Sequence, residues 1–416
     1  MKILWITNIP LPPLCIKRGW KVPAIGGWMY SSLQRLQENG DIEISVATPY
    51  LRGKEFIEET IDGVSYFAVP YGWRSNKQNQ SFTHKYWRAI NQKVQPDVVH
   101  IHGTEFAHGN DYIQACGASN VIVSIQGLVS VYSGYYYGGI RERILRNHIT
   151  ISDLLRKSTI VNGRKEYERR GKIERATISN VKHIIGRTEW DKAHVWSINP
   201  EAKYHYCGET LRESFYHNQW KYENCEPNSI FISQAGYPIK GLHKVIEALP
   251  LVLLHYPNTK LYVAGNDITC KKPWYHKTGY GLYVASQIDK YKLKDHVVFT
   301  GMLSEQQMCE RFLKSNLFVC PSSIENSPNS LGEAQILGVP LLASYVGGIP
   351  DMVKSNPDCM YRFDESVMLA NKICMVFEKG SNIDTFLSQK EARWRHDPQR
   401  NTNDLLMAYR KVLEEM

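Results

Sequence analysis

Short apolar runs rich in Val and Ile alternate with longer helical patterns along most of the chain, and this alternation constrains the fold more than any other feature. A strand-length run followed by a helix and another such run is typical of βαβ units around a parallel sheet. The alternation occurs in two series, separated by a stretch over 209–228 that has no consistent period. We therefore predict an α/β fold of two doubly wound, Rossmann-like domains.

The length of the chain agrees with two domains, since its 416 residues exceed the roughly 250–300 at which a single hydrophobic core stops growing. We predict an N-terminal domain over 1–208, a linker over 209–228, and a second domain over 229–398. The last residues, 399–416, are predicted as a helix that can pack back on the first domain. The predicted strands are Lys2–Thr7, Ile42–Ala47, Ser65–Val69, Val98–His102, Val121–Gln126 and His183–Arg187, then Ile230–Gln234, Lys260–Ala264, Val297–Thr300, Leu317–Pro321 and Leu341–Tyr345.

Cysteine usage and apolar run lengths indicate where the protein works. The nine cysteines are an odd number without a C-x-x-C pair, a pattern typical of reduced thiols and not of a disulfide framework or a zinc site. The apolar run at the N-terminus is too short for a signal peptide, and no uncharged apolar stretch reaches about 18 residues. We expect a cytoplasmic protein.

Most of the net charge of +9 lies in one stretch, between Gly139 and Arg187, where thirteen Lys and Arg face five acids. Such a run is either a solvated helix surface or the binding surface of an anionic partner, such as lipid headgroups. The second reading predicts peripheral contact with the inner face of a membrane through 139–187. No nucleic-acid partner is predicted.

The most informative motif pairs two glutamates, Glu325 and Glu333, across the end of a predicted strand and the start of a helix. Asn329 or Ser330 is a plausible N-cap, and the backbone from Asn329 to Leu331 would offer N–H groups to a diphosphate. A carboxylate there would be repelled by phosphate, but it can accept two hydroxyl donors from a ribose or a hexose. These residues predict a donor-binding site.

With its small-residue stretches Gly338-Val-Pro340 and Gly347-Gly-Ile-Pro350, this motif resembles the E-x7-E motif of retaining glycosyltransferases of family 4. That family has the GT-B architecture, in which two doubly wound domains face a central cleft. The resemblance implies that Glu333 holds the nucleotide ribose and that Glu325 contacts the transferred sugar. It also implies retention at the anomeric carbon, and similar segments occur in members that build bacterial surface polysaccharides.

Other stretches of the second domain also resemble this family. Lys240-Gly241 follows a predicted strand, where a lysine can neutralise the departing diphosphate, so we predict Lys240 and Glu325 as the catalytic residues. The arginine that family members often carry a few residues earlier is absent, which leaves the helix starts or an arginine from elsewhere to assist. Thr300 and Gly301 resemble the segment that meets the base through its backbone.

The first domain supplies fewer side chains to the predicted site. In the family a Gly-Gly pair before the first long helix approaches the donor, so Gly26 and Gly27 are predicted there. Gln126 stands where members frequently have a histidine; it can bind a sugar hydroxyl but cannot act as a base.

On the acceptor side we predict His102, Arg187 and Glu189, all near strand ends. Glu209 and Arg212 are expected to pair with each other. A buried structural histidine explains His102 equally well.

The predicted reaction is transfer of a hexose or N-acetylhexosamine from a nucleotide diphosphate sugar to a hydroxyl of a glycan or lipid-linked acceptor. The chain has no D-x-D motif, so no metal and no cofactor beyond the sugar nucleotide is predicted. Two alternatives remain open: a nucleotide-sugar epimerase or hydrolase of the same architecture, and a non-catalytic protein that binds sugar nucleotides.

Overall fold

A computed structural model of the chain describes residues 1–23, 26–38, 40–51, 53, 55–72, 81–270 and 277–416. These residues form two units, each with its own sheet. The first unit comprises Met1–Val131, Tyr167–Thr210 and Arg395–Met416, and the second comprises Tyr132–Glu166 and Leu211–Trp394. The prediction of two parallel-sheet α/β domains is confirmed.

The sheet of the first unit has eight strands in the order β3-β4-β2-β1-β5-β6-β7-β8. All neighbours are parallel except β3 and β4. Its central strands are buried on both faces, which is why β1 and β6 are apolar along most of their length, while β5 also buries two histidines. The strands are β1 Lys2–Ile6, β2 Glu43–Leu51, β3 Ile57–Ile61, β4 Val64–Tyr71, β5 Val98–His102, β6 Val121–Ser124, β7 His183–Gly186 and β8 Lys203–Tyr206.

The sheet of the second unit has six parallel strands in the order β11-β10-β9-β12-β13-β14. The strand order runs outward from β9 to β11 and then reverses, so that β12 lies on the other side of β9. The loops after β9 and β12 therefore emerge side by side. The strands are β9 Glu226–Ile232, β10 Lys260–Val263, β11 Val297–Phe299, β12 Ser315–Cys320, β13 Leu341–Ser344 and β14 Met360–Tyr361.

Helices connect the strands and cover the sheets. They are α1 Pro12–Arg18, α2 Gly27–Gln37, α3 His84–Val94, α4 His108–Cys116, α5 Val129–Tyr132, α6 Glu142–Asn147, α7 Ile151–Arg156, α8 Ile160–Ser179, α9 Glu189–Ile198, α10 Leu242–His255, α11 Gly279–Lys290, α12 Glu305–Leu313, α13 Asn329–Leu337, α14 Ile349–Met352, α15 Ser366–Lys379, α16 Phe386–Arg395 and α17 Pro398–Leu413. The last helix lies on the first sheet, where the Tyr409 hydroxyl accepts from Trp5 Nε1 over 2.9 Å.

The two units divide the chain differently from the predicted domains 1–208 and 229–398. Residues 132–166 group with the second unit because their polar groups bond there: the Asp153 carboxylate accepts from the Gly279 N–H over 2.7 Å, and the Thr150 hydroxyl donates to the Lys277 carbonyl over 3.0 Å. The predicted linker 209–228 mostly belongs to the second unit as well, and β9 already begins at Glu226.

Candidate active site

Two loops meet where the strand order of the second sheet reverses. The loop after β9 carries Lys240, and the loop after β12 carries Glu325. Lys240 Nζ donates to Glu325 Oε1 over 2.6 Å, and the Ser322 hydroxyl donates to the same oxygen over 2.7 Å. Ligands of doubly wound sheets bind at such a reversal, outside the carboxyl ends of the strands. The two residues predicted as catalytic are thus in contact where this fold binds ligands.

Two glycines allow these loops to approach so closely. Gly241 has φ +71°, and a Cβ there would lie 1.7 Å from the Pro321 carbonyl oxygen. Gly347, in the Gly-Gly-Ile-Pro stretch, has φ +51°, and its Cβ would lie 1.9 Å from the Glu325 carbonyl oxygen. Any other residue would force the backbone apart at either position.

Lys240 keeps its charge although it is largely buried. Burial alone lowers the pKa of a lysine, but the adjacent Glu325 carboxylate outweighs burial and raises the pKa of Lys240 above its ordinary value. The site therefore holds a permanent cation at the strand ends, balanced by one carboxylate.

The second glutamate of the motif, Glu333, lies on α13 and is 4% exposed. Arg212 Nε donates to its Oε1 over 2.7 Å and Arg212 Nη2 donates to its Oε2 over 2.8 Å, so the contact is bidentate. Burial raises the pKa of Glu333, and the Arg212 hydrogen bonds and charge oppose that rise. The expectation that Arg212 pairs with Glu209 is wrong; Glu209 pairs with Arg187 instead.

The starts of α10 and α13 lie beside these loops. Gly241 is the N-cap of α10 and Pro328 that of α13, and no side chain among the described residues caps either helix. Asn329 and Ser330 are helical and are not the predicted caps, because the chain already turns at Pro328. Both helix starts leave backbone N–H groups able to bind an anion.

The remaining predicted donor residues of the second unit differ in what they can offer. The Leu331 side chain is fully buried in the core, so only its backbone could meet a ligand. Thr300 and Gly301 follow β11, two strands away from β9, and their backbones bond back to the sheet, Thr300 N–H to the Val263 carbonyl and Gly301 C=O to the Gly265 N–H.

The first unit has a separate pocket near the carboxyl ends of β5, β6 and β7. The predicted residues His102, Gln126 and Arg187 all line it. Burial lowers the pKa of His102 to about 3, so its ring is neutral. Arg187 pairs with Glu209, and its Nη2 donates to the Ile125 carbonyl over 2.6 Å.

Three predicted residues of the first unit do not line that pocket. Glu189 is the first residue of α9, and its side chain is 72% exposed and paired with Lys192 over 3.3 Å. Gly26 is the N-cap of α2, with φ +82° and a Cβ position 2.3 Å from Ile9 Cδ1. Gly27 begins the helix with nothing near its Cβ position. Their predicted roles stay predictions.

Sequence reasoning missed the contact of Arg212 with Glu333 and several residues of the first-unit pocket. Arg212 lies 121 positions before Glu333, so no spacing could connect them. Asn401 and Thr402 reach the pocket of the first unit from α17, and Trp28 reaches it from α2. Trp28 could have been found, since it directly follows the predicted Gly26-Gly27 pair.

No group of three or more His, Cys, Asp or Glu is placed to hold a metal ion within the described ranges. In the described part of the chain, no helix is both long and apolar enough to cross a membrane.

Most of the second unit is similar to a known protein family. Residues 215–382 match the family model described as Glycosyl transferases group 1. The matched residues include Lys240, Glu325 and Glu333. The spore coat protein SA of Bacillus subtilis is 24% identical over 256 residues, which are 57% of this chain and 65% of that protein. The chain therefore spans less than two thirds of that relative.

Solved structures with the same fold align over nearly the whole chain. The sucrose-phosphate synthase of Thermosynechococcus elongatus gives a TM-score of 0.67 at 14% identity and covers 100% of both chains. Anabaena Alr3699/HepE, solved in complex with UDP, gives 0.61 at 14% identity, over 98% of this chain and 99% of that one. At these identities the likeness shows the fold alone, and it confirms the predicted GT-B fold.

Proposed function

We propose that this chain uses its Glycosyl transferases group 1 domain to move a sugar from a nucleotide diphosphate donor to a hydroxyl group of an acceptor. The observation that carries this proposal is the contact of Lys240 and Glu325 at the strand-order reversal, beside two helix starts. A buried permanent cation and unpaired N–H groups suit a diphosphate. A carboxylate next to them suits sugar hydroxyls.

Each residue then has a distinct task at the donor site. Lys240 neutralises the charge that develops on the departing diphosphate as the bond to the anomeric carbon breaks. Glu325 positions the transferred sugar, and Ser322, which donates to it, fixes its orientation. Glu333 accepts the two ribose hydroxyls while Arg212 keeps it ionised.

The first unit is proposed to contact the sugar and the acceptor through His102, Gln126 and Arg187. His102 is neutral and Gln126 cannot ionise, so both can exchange hydrogen bonds with hydroxyl groups without a charge penalty. The acceptor class proposed is a glycan or lipid-linked sugar in surface polysaccharide synthesis, acted on in the cytoplasm.

Retention at the anomeric carbon belongs to the same proposal. No side-chain nucleophile is assigned, so the acceptor attacks from the face that the diphosphate leaves, and the departing phosphate takes the acceptor proton. The transferred sugar is a hexose or N-acetylhexosamine. The diphosphate is held by Lys240 and backbone N–H groups, so activity should persist in the presence of EDTA.

A donor screen tests the proposal. Purified protein is incubated with a panel of nucleotide diphosphate sugars, with and without lipid-linked acceptor, and the products are identified by NMR. We expect transfer from one donor class with the donor's anomeric configuration kept in the product. An inverted product would contradict the retaining mechanism. Donor turnover without acceptor would instead support the hydrolase or epimerase, and binding without any turnover would support a non-catalytic protein.

A further inference from the structure

The short helix α7 exposes its apolar residues and buries polar ones. Ile151 and Leu154 are each 62% exposed and Leu155 is 81% exposed, whereas Ser152 and Asp153 are buried. Water-exposed helices normally turn their polar residues outward and their apolar residues inward. The outward face of α7 is therefore an apolar surface without a partner within the described part of the chain.

The orientation of α7 is fixed by its polar side. The Asp153 carboxylate accepts from the Thr150 N–H over 3.2 Å and from the Gly279 N–H over 2.7 Å, and the Thr150 hydroxyl accepts from the Asp153 N–H over 2.9 Å. Rotating the helix to bury Leu155 would break these bonds and expose Asp153. The apolar residues are thus held outward by the fold itself.

Cations adjoin this apolar face. Arg156 and Lys157 are exposed and directly follow Leu155. Lys157 occupies the left-handed C-cap with φ +53°, a position at which glycine is usual. Seven Lys and Arg and three Asp and Glu lie across Tyr132–Glu166, so this segment has a net positive charge.

We propose that the face formed by Ile151, Leu154, Leu155, Arg156 and Lys157 docks on an anionic lipid surface. Apolar side chains would enter the boundary between headgroups and acyl chains, while the two cations bind headgroup phosphates. A second copy of the chain fits less well, because a symmetric contact sets the same cations against each other. This surface lies in the second unit. The membrane contact that the sequence predicted for the whole basic stretch 139–187 is thereby assigned to the helix α7 and its C-cap.

Vesicle flotation tests the proposal without any donor or acceptor. Wild-type protein is mixed with vesicles of phosphatidylglycerol and phosphatidylcholine, or of phosphatidylcholine alone. We expect retention on the anionic vesicles that falls with added salt. The variant Leu154→Ser/Leu155→Ser should lose about tenfold or more of that partitioning, and Arg156→Gln/Lys157→Gln should reduce it on anionic vesicles only. The matched control is Phe386→Ser/Leu387→Ser, an adjacent exposed pair at 65% and 58% that should bind like wild type.

Three results would overturn the proposal. These are wild-type protein that stays off anionic vesicles, a Leu154/Leu155 variant that binds as well as wild type, and a control variant that loses binding to the same degree. Sedimentation of the same proteins, measured in parallel, tests whether a second copy of the chain covers this face instead. A wild-type dimer that the Leu154/Leu155 variant abolishes, without vesicle binding, would assign the face to a second copy of this chain.

Discussion

Arg212 engages both oxygens of Glu333, and this contact sets which positions of the carboxylate remain for a ligand. A carboxylate has roughly four lone-pair positions, and a bidentate guanidinium occupies two of them. The other two remain for ribose hydroxyls, provided that the group is ionised. Because burial raises the pKa of Glu333, its ionisation depends on Arg212.

Replacing Arg212 should make donor binding depend on pH. In Arg212→Gln the burial of Glu333 is no longer opposed, so its pKa rises and the carboxyl protonates as pH falls. We expect nucleoside diphosphate affinity, measured by calorimetry at several pH values, to weaken as pH falls, by up to about tenfold per pH unit once the carboxyl is protonated. Wild type and the control Arg311→Gln, whose arginine pairs with Glu226, should change much less. A pH-independent Arg212 variant would contradict this role.

Gly241 offers a test of whether the loops after β9 and β12 must approach each other closely. In Gly241→Ala the new Cβ would meet the Pro321 carbonyl oxygen at 1.7 Å with φ +71°, so the backbone must move. We expect the free energy of unfolding in urea to fall by about 1–3 kcal/mol, together with weaker donor binding. Gly236→Ala lies in the same loop with nothing within 4 Å of its Cβ position and should behave like wild type. Equal effects of the two changes would refute the steric argument.

At the scale of elements, a buried carboxylate on α8 ties together the loops that follow β5 and β6. Glu174 accepts from the N–H groups of Val129 and Ser130 over 3.0 and 2.8 Å and from the Thr104 hydroxyl over 3.0 Å. Burial, with the nearby Glu105 adding to it, raises the pKa of Glu174 to about 7. The loops at the edge of the first-unit pocket thus depend on one titrating group.

The pKa of Glu174 predicts the direction of a pH effect on stability. Its folded pKa lies above its ordinary value of 4.5, so the folded state binds the proton more tightly than the unfolded state. The stabilisation of the folded state by this tighter proton binding is fully present below about pH 4.5, and it is lost as the pH rises through about 7. We expect this loss to lower the free energy of unfolding by up to about 3 kcal/mol as the pH rises across that range. Urea denaturation of wild type and Glu174→Gln at several pH values checks this, and parallel pH profiles would rule it out.

The edge strands show why parts of each element could not be predicted. The strand β5 was predicted with its observed bounds, because a strand buried on both faces carries a run of Val and Ile, here interrupted only by the buried His100 and His102. The edge strand β8, Lys-Tyr-His-Tyr, has no buried residue and so has no apolar run to detect. Its strand conformation depends on pairing with β7, which is tertiary information.

In the whole molecule, the two series of strands and helices predicted two doubly wound domains, and the resemblance of the E-x7-E motif implied the GT-B fold, but neither showed which segments share a unit. Residues 132–166 interrupt the first unit in sequence, and their contacts, among them those with Lys277 and Gly279, place them in the second unit. The same limit applies to the donor site of the second unit and to the pocket of the first unit. The E-x7-E spacing indicated Glu325 and Glu333, whereas Arg212 and Asn401 come from distant parts of the chain.

The central claim is that the strand-order reversal of the second unit binds a nucleotide diphosphate through Lys240. Calorimetric titration with a panel of nucleoside diphosphates tests it most directly, using wild type, Lys240→Ala, and Lys244→Ala as a matched control from α10, where Lys244 pairs with Glu247 over 2.9 Å. We predict that one nucleoside diphosphate binds wild type and the Lys244 variant alike, and binds the folded Lys240 variant at least about tenfold more weakly. Binding that Lys240→Ala leaves unchanged, or no binding of any nucleoside diphosphate to wild type, would contradict the account.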